Sequence, residues 1–345
     1  MRCSLHDSRL ASMDKTSLIF ITVVSVFVLL SVCSNMLVIL VMYKCRNTKS
    51  VTNIFIVNIA ISDVILAAIV LPQQIHDISH TNDFYEGQIA CKLVHFLPVF
   101  CVSISTYSLV ILSHERYLAI VQVLKLKSIE NLKRTRKNVC ILWIVSMVIA
   151  SPEIYEYTSV HRLTLNETHV TMCGSYNAPR WFQISNAVML ISVVYVIPLI
   201  TMVINYCRIV VYMMQKRGNG SHVIGNQVNC AINRNKIRVM EMLIVVTFMF
   251  ALAWAPFFVL LASTKITGRD ASTEDSSVEN MTKISSAVFS TSYNFIIYLM
   301  YNRTFRRVLK ETLCGNKIEQ TTNRIRVVSS ASGMAMPRMR SDGNN

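Results

Sequence analysis

An adjacent acid and base, Glu115 and Arg116, close an apolar run that begins near Cys91. The 25 steps from Cys91 to Arg116 correspond to about 37 Å of helix at roughly 1.5 Å per residue, enough to cross a bilayer. We therefore expect the acid–base pair at one face of a membrane and Cys91 at the opposite face. Taken alone, Arg116 in that position is most simply a long side chain that reaches for water at a helix end.

A second ionisable group, Asp63, lies in the middle of an apolar run. A charge at that depth costs at least about 2.5 kcal/mol unless it is partnered or hydrated, so Asp63 is expected to face the interior of a helix bundle. Asn35, Ser105 and Asn294 lie at comparable depth in other runs. These polar groups predict either a small cation pocket or a structural hydrogen-bond network.

Four aromatic side chains, Phe250, Trp254, Phe257 and Phe258, lie on one helical stripe. Pro256 follows the tryptophan by two residues, where it removes a backbone donor and is expected to kink the helix. A stripe of this kind usually packs in a core, and the kink adds the alternative of a pivot.

The composition excludes an ordinary soluble enzyme. Of the 345 residues, 52% are hydrophobic and 15% are charged, which indicates a polytopic membrane protein in a lipid bilayer. The net charge of +15 does not indicate a nucleic-acid partner, because the basic residues fall in short gaps between apolar runs and in the C-terminal tail.

Seven apolar runs have about the length of a bilayer-spanning helix. They are 18–42, 54–75, 89–120, 139–157, 184–213, 237–262 and 284–300. Lys and Arg concentrate in the gaps after the first, third and fifth runs, which predicts an extracellular N-terminus and a cytoplasmic C-terminus.

This reading divides the chain into four parts. Residues 1–17 form an extracellular tail without signal-peptide features, and 18–302 form the bundle. Residues 303–314 alternate cations with Phe305, Val308 and Leu309, as in a helix on the inner membrane surface, and 315–345 are expected to be disordered.

The extracellular side carries two kinds of predicted modification. Cys91 and Cys173 lie in the compartment where disulfides form, and we expect them to pair, which leaves Cys3 without a partner. Asn166 and Asn280 each begin an Asn-X-Thr glycosylation acceptor on the same side.

Together these residues resemble the rhodopsin-like (class A) family of G protein-coupled receptors over roughly 18–314. The family's motifs occur in order and at matching depths. They are Ser34-Asn35, Asn58 to Asp63, Cys91, Glu115-Arg116-Tyr117, Trp143, Pro198, Tyr206, Trp254-Ala-Pro256, Asn294 to Tyr298, and Phe305-Arg306.

The resemblance implies an all-α bundle of seven transmembrane helices with an amphipathic eighth helix, in the plasma membrane. It implies that Arg116 pairs with Glu115 at rest and contacts the C-terminal helix of a G protein α subunit on activation. Tyr117 belongs to the same motif, and Tyr206 and Tyr298 would support the open state. Heterotrimeric G proteins, arrestin and receptor kinases are the implied partners.

The resemblance also implies three further sites. The activation switch would consist of Phe250, Trp254, Pro256 and Asn294. A sodium ion that favours rest would be held by Asp63, Ser105 and Asn294. Cys314 resembles a palmitoylation site at the end of the eighth helix.

The chain departs from the family pattern at two places. Phe295 occupies the position of the family's proline in the seventh helix, which puts the usual kink there in doubt. The inner end of the sixth helix reads Asn235-Lys236, without the acid that often clasps the arginine. We expect a weakly restrained resting state and appreciable basal signalling.

Residues predicted to lie on the extracellular side indicate the class of ligand. The segment from Val94 to Cys101 contains no acid, which disfavours an amine ligand, and Lys283 lies too close to the outer mouth to bind retinal. Acids, with Glu153 and Glu156 counted among them, outnumber Lys and Arg in the outer connections, which favours a short cationic or amidated peptide. The candidate ligand-binding residues are Gln73, Gln74, His95, Val99, Trp254, Phe257 and Phe258.

Other functions stay open or are excluded on stated grounds. Topology alone also keeps Lys and Arg out of extracellular connections, so a chemosensory or orphan receptor for a small non-peptide ligand is the alternative. A transporter or channel would require internal repeats or several buried charges, and the chain shows one central acid and no repeat. No catalytic constellation, metal-binding cluster or phosphate-binding glycine loop indicates an enzyme or a resident cofactor.

Overall fold

Seven long helices and a short eighth make up almost all of the computed structural model, which describes residues 15–44, 51–79, 87–122, 132–163, 169–218, 227–267 and 275–314. The bundle helices are α1 (Lys15–Lys44), α2 (51–79), α3 (Gly87–Val121), α4 (Leu132–Glu156), α5 (180–218), α6 (Gln227–Thr267) and α7 (Asp275–Tyr301). Helix α8 is Arg303–Cys314. The predicted seven-helix bundle with an eighth helix is confirmed.

The helices close into a ring around α3. Helix α1 packs against α2 and α7, and α7 packs against α6, while α3 contacts α2, α4, α5 and α6. Most helices are longer than the apolar runs that predicted them: α6 begins at Gln227 and α4 at Leu132. The polar ends were missed because hydrophobicity marks only the part of a helix suited to hydrocarbon.

The bundle exposes large apolar side chains on its outer surface and buries a set of polar side chains among the apolar residues of its core. Large hydrophobic side chains on the outside are exposed, among them Leu29, Val148 and Val259. Asn35, Asn58, Ser62, Asp63 and Asn294 are buried inside. A soluble protein rarely exposes so extensive an apolar surface, so this distribution is that of helices surrounded by lipid.

Six of the helices, α1 to α6, are long and apolar enough to cross a membrane. Helix α7 has 27 residues, sufficient length, but includes the polar run from Ser290 to Ser292 and Asn294. Those residues face neighbouring helices, since Ser290, Thr291 and Asn294 are buried. The lower hydropathy of α7 therefore reflects its polar inward face.

Two helices contain π-helical segments that the sequence did not predict. They are Leu66–Val70 in α2 and Ile191–Val196 in α5. A π segment shifts the helical hydrogen-bond pattern by one residue, and such segments are frequent at functional sites. Both segments lie in the half of the bundle that contains the predicted ligand-binding residues.

A two-stranded antiparallel sheet, also not predicted, connects α4 to α5. It consists of β1 (Thr158–Leu163) and β2 (His169–Gly174). Several of its residues are β-branched, including Thr158, Val160 and Val170, and this was the available signal for strands.

Several sequence predictions lie outside the described residues. These are most of the tail 1–17 with Cys3, the tail 315–345, and Asn166. The side chains of Asn235, Lys236 and Cys314 are also outside the described set.

Candidate functional site

A cavity of about 910 Å³, open mouth included, lies between helices α2 to α7. It is at the end of the bundle that the distribution of Lys and Arg predicts to be extracellular; this end is called outer, and the opposite end inner. Gln74, His95, Val99 and Phe257, all candidates from the sequence, line it. Asn280, the remaining glycosylation candidate, is exposed and lines the mouth. Gln73 is not among the lining residues, although its side-chain nitrogen is buried without a described hydrogen-bond partner.

A second, smaller and apolar chamber lies deeper along α3, α5 and α6. Trp254 and Phe258 line this chamber, and Val99 and Phe257 line both it and the outer cavity. Trp254 meets the ring of Phe257 edge to face with 5.4 Å between the ring centroids. The aromatic stripe therefore faces inward as predicted, whereas Pro256 is exposed on the outside of α6.

The β-hairpin is attached to the top of α3 by a disulfide between Cys91 and Cys173, which confirms the predicted pair. Cys173 lies in β2 and Cys91 is fully buried at the first turns of α3. Tyr157, immediately before β1, stacks on His95 with 3.5 Å between the ring centroids. The connection from α4 to α5 is thus fixed beside the outer cavity.

The outer cavity also contains a charged cluster that the sequence reading placed on loops. Glu153 and Glu156 belong to the last turns of α4 and are buried, 6% and 1% exposed. Asn186 of α5 and Lys265 of α6 complete the cluster, and all four residues line the cavity. The earlier interpretation of both acids as rim residues is wrong, because the end of an apolar run does not show how deeply the next polar side chain is covered.

At the centre of the bundle, Asp63, Ser105 and Asn294 line a cavity of about 360 Å³ together with Trp254. Asn294 donates its side-chain N–H to Asp63 Oδ2 at 2.7 Å, and Ser105 shares a hydrogen bond of 2.8 Å with Ser62. The Oδ1 atom of Asn294 is buried without a described partner. A carboxylate, an amide oxygen and hydroxyls are the oxygen ligands that a hard cation takes, so the predicted sodium-binding residues fit the ion.

Asn35 does not line this central cavity. Its side-chain N–H donates to the backbone oxygen of Thr291 at 2.8 Å, which connects α1 to α7. Asn58 performs a similar role for three helices: it donates to Ser108 Oγ and accepts from Trp143 Nε1, both at 2.8 Å. The sequence left two alternatives open, a cation pocket and a structural hydrogen-bond network. Asn35 belongs to a structural network, and so does Asn58.

The inner end of α3 brings Arg116 against α2, where its guanidinium donates to Thr52 Oγ1. The contact with Thr52 was not foreseen, and the predicted pairing with Glu115 stays a prediction. The ring of Tyr117 lies 5.9 Å from the guanidinium carbon of Arg208 on α5.

Tyr206 and Tyr298 are both buried near the inner half. The hydroxyl of Tyr206 lies 3.3 Å from Thr247 Oγ1, which connects α5 to α6. Tyr298 and Phe295 both pack on Phe305, with ring centroids 6.3 Å and 5.9 Å away. The phenylalanine that replaces the family's proline therefore forms part of the contact between α7 and α8.

Comparison with known proteins gives the family. Residues 34–301 match the model of the 7 transmembrane receptor (rhodopsin family). The chain is 28% identical to a QRFP-like peptide receptor of Branchiostoma floridae, over 84% of this chain and 75% of that protein. It is also 28% identical to bombesin receptor subtype-3 of Ovis aries, over 84% and 73%.

A tachykinin-like peptides receptor 99D of Drosophila melanogaster is 26% identical over 81% of this chain and 54% of that protein. The matched region contains every helix from the middle of α1 to the end of α7, together with the disulfide, the central acid and the inner arginine. The chain belongs to the rhodopsin family of seven-transmembrane receptors, the class A G protein-coupled receptors, and is a multi-pass membrane protein rather than an enzyme.

Proposed function

We propose that this receptor binds a short cationic or amidated peptide on the extracellular side and activates heterotrimeric G proteins on the cytoplasmic side of the plasma membrane. The observation that carries the proposal is the outer cavity of about 910 Å³, whose wall combines aromatic side chains with the buried carboxylates of Glu153 and Glu156. A concave site with apolar and aromatic walls and a few convergent charged groups is the usual form of a ligand site, and its open mouth would admit the end of a peptide.

The relatives support a peptide ligand. Three of them are named for peptides: QRFP-like peptide, bombesin and tachykinin-like peptides. Identities of 26–28% do not transfer an individual ligand, so the proposal goes no further than the class. The extracellular N-terminus rests on the distribution of Lys and Arg between the helices.

The deep chamber offers a path from ligand to signal. An apolar group of the peptide that enters it would contact Trp254 and Phe258 of α6. Trp254 also lines the central cavity with Asp63 and Asn294, so a shift of its ring would reach α7. Movement of α6 would then uncover Arg116 for the G protein.

The central cavity would hold a sodium ion in the resting state through Asp63, Ser105 and Asn294. The ion supplies positive charge to a carboxylate that is 5% exposed and would otherwise lack a counter-charge. We expect sodium chloride to raise the melting temperature of the purified receptor more than choline chloride at the same ionic strength. Asp63→Asn should remove that difference, and a difference that persists in this variant would exclude the site.

Arrestin and receptor kinases are proposed as further cytoplasmic partners, and Cys314 as a palmitoylation site, from the family resemblance. The amphipathic character of α8 supports the last point. Its apolar face of Phe305, Val308 and Leu309 is buried against the protein, whereas Arg306, Arg307 and Lys310 are exposed and would be available to anionic lipid head groups.

The proposed function is tested with a library of amidated peptides on cells that express the receptor, with dissociation of G protein subunits as the readout. We expect activation by members that carry Arg or Lys, and no response in cells without the receptor. Activation by odorants or lipids with no response to any peptide would contradict the peptide proposal.

A small non-peptide ligand is the second candidate. The deep chamber favours it, because its lining, which includes Val99, Trp254 and Phe258, is apolar and would contact a hydrophobic group. The same library experiment, extended to small apolar compounds, separates the two candidates.

A further inference from the structure

The buried acidic cluster of the outer cavity has an arrangement that selects among cations. Asn186 of α5, 6% exposed, lies between the two acids of α4. Its side-chain amide donates to Glu153 Oε1 and to Glu156 Oε2, each at 2.8 Å. Both N–H groups of the amide are therefore used to hold the two carboxylates in place.

The cluster contains two acids and one cation. Lys265 pairs with Glu156, and its ammonium also lies over the ring of Tyr157, 5.6 Å from the centroid. The other lysine of the cavity wall, Lys283, pairs with Glu279. Within the part of the chain that the structure describes, Glu153 forms no ion pair, and a buried carboxylate without a counter-charge is strongly unfavourable.

An independent observation indicates where a ligand group would bind. The Oδ1 atom of Asn186 is buried and has no hydrogen-bond partner among the described residues. It belongs to the same cavity wall as the carboxylate of Glu153. Buried acceptors of this kind are normally satisfied, so a donor from outside the chain is expected there.

We propose that Glu153 and Asn186 bind the guanidinium group of an arginine side chain in the ligand. The inference rests on the proposed peptide-receptor function and adds the chemical group that the cavity recognises. A guanidinium is planar and has five N–H donors, so it can donate in parallel to the Glu153 carboxylate and still reach Asn186 Oδ1. A lysine ammonium is a point charge without that fork and matches the two acceptors less well.

The test uses the purified full-length receptor in lipid nanodiscs and small probes in place of a peptide. We expect Nα-acetyl-arginine amide to raise the melting temperature in a saturable manner. Nα-acetyl-citrulline amide, which has the same shape without the charge, should produce no shift. This comparison is made on the unaltered receptor and does not depend on the folding of any variant.

A matched pair of variants locates the binding group. Glu153→Gln keeps a side-chain oxygen for the Asn186 amide and removes the charge. The concentration of the arginine amide that gives half of the maximal shift should therefore rise at least about tenfold, the effect expected when a hydrogen bond to a charged group is lost. Glu311→Gln removes an acid of α8 that lies near Arg307, at the opposite end of the receptor from this cavity. It should leave the response unchanged.

Nα-acetyl-lysine amide serves as a third probe and should produce a smaller shift than the arginine amide. Three results would overturn the proposal: a citrulline-amide shift equal to that of the arginine amide, a lysine-amide shift equal to it, or a Glu153→Gln receptor that responds like the unaltered one. The test separates this inference from the proposed function. Binding of the arginine amide to a receptor that no peptide activates would support the site and contradict the function. Peptides that activate the Glu153→Gln receptor with unchanged potency would do the reverse.

Discussion

Arg116 shows how a residue acquires a role from its contacts. Its place at the end of an apolar run is compatible with a side chain that simply reaches for water. In the structure its guanidinium is half-buried and donates to Thr52 of α2. Under the proposed function, this half-buried charge has to be released before it can bind the G protein, so each contact that holds it should restrain signalling.

The contacts that hold Arg116 predict how substitution of its partners changes the basal activity of the receptor. Thr52→Val replaces the hydroxyl by a methyl group of similar size and removes one hydrogen bond to a charged group, about 1.5–3 kcal/mol. Basal nucleotide exchange should rise by up to roughly tenfold for each 1.4 kcal/mol by which the resting state is destabilised relative to the active state. Glu115→Gln should raise it further if the acid is the main restraint.

Second-messenger levels without ligand measure both effects, with receptor density at the cell surface held equal. The unaltered receptor should already exceed mock-transfected cells, since Asn235-Lys236 supplies no acid to clasp Arg116. If Thr52→Val and Glu115→Gln both signal at the unaltered level, neither contact restrains the arginine.

Two tyrosine hydroxyls connect the π segment of α5 to the neighbouring helices α3 and α6. Tyr107 of α3 donates to the backbone oxygen of Val193 at 3.0 Å. Tyr195, inside the segment, donates to the backbone oxygen of Ala251 on α6 at 2.8 Å, and its ring packs on Phe258 with 4.7 Å between centroids. The altered backbone pattern of Ile191–Val196 therefore coincides with the contacts that fix α5 to α3 and α6.

These two bonds predict a loss of stability. Tyr107→Phe and Tyr195→Phe keep the rings and remove the hydroxyls, so each should lower the free energy of unfolding by about 1 kcal/mol, a typical net value for one hydrogen bond. Tyr212→Phe, also on α5, is the control, because the described residues offer its hydroxyl no hydrogen bond. Melting temperatures of the purified variants measure the effect, and equal values for all three would contradict it.

The elements differ in how well the sequence predicted them. The seven helices were predictable because hydrocarbon demands a continuous apolar run. The π segments carry no such signal, and the hairpin was missed because its strands lie between helices in a polar connection. Phe295 was recognised as a departure from the family, but its packing on Phe305 depends on where α8 returns beneath α7.

For the whole molecule, the position of a polar residue relative to the apolar runs decides whether its burial can be recognised from the sequence. Buried polar residues such as Asp63 are conspicuous because they interrupt apolar runs. Glu153 was misplaced because it stands at the end of a run, and its partner Asn186 lies 33 residues away. The outer cavity draws on six helices, and only their packing brings those side chains together.

The central claim is that a peptide bound in the outer cavity drives nucleotide exchange through Arg116. The direct measurement is guanine nucleotide exchange on a purified G protein heterotrimer, with the receptor in nanodiscs and arginine-containing amidated peptides added. We expect faster exchange with the unaltered receptor, and no peptide-dependent exchange with Arg116→Ala, which should still bind the peptide. Exchange that no peptide accelerates, or that Arg116→Ala supports in full, would contradict it.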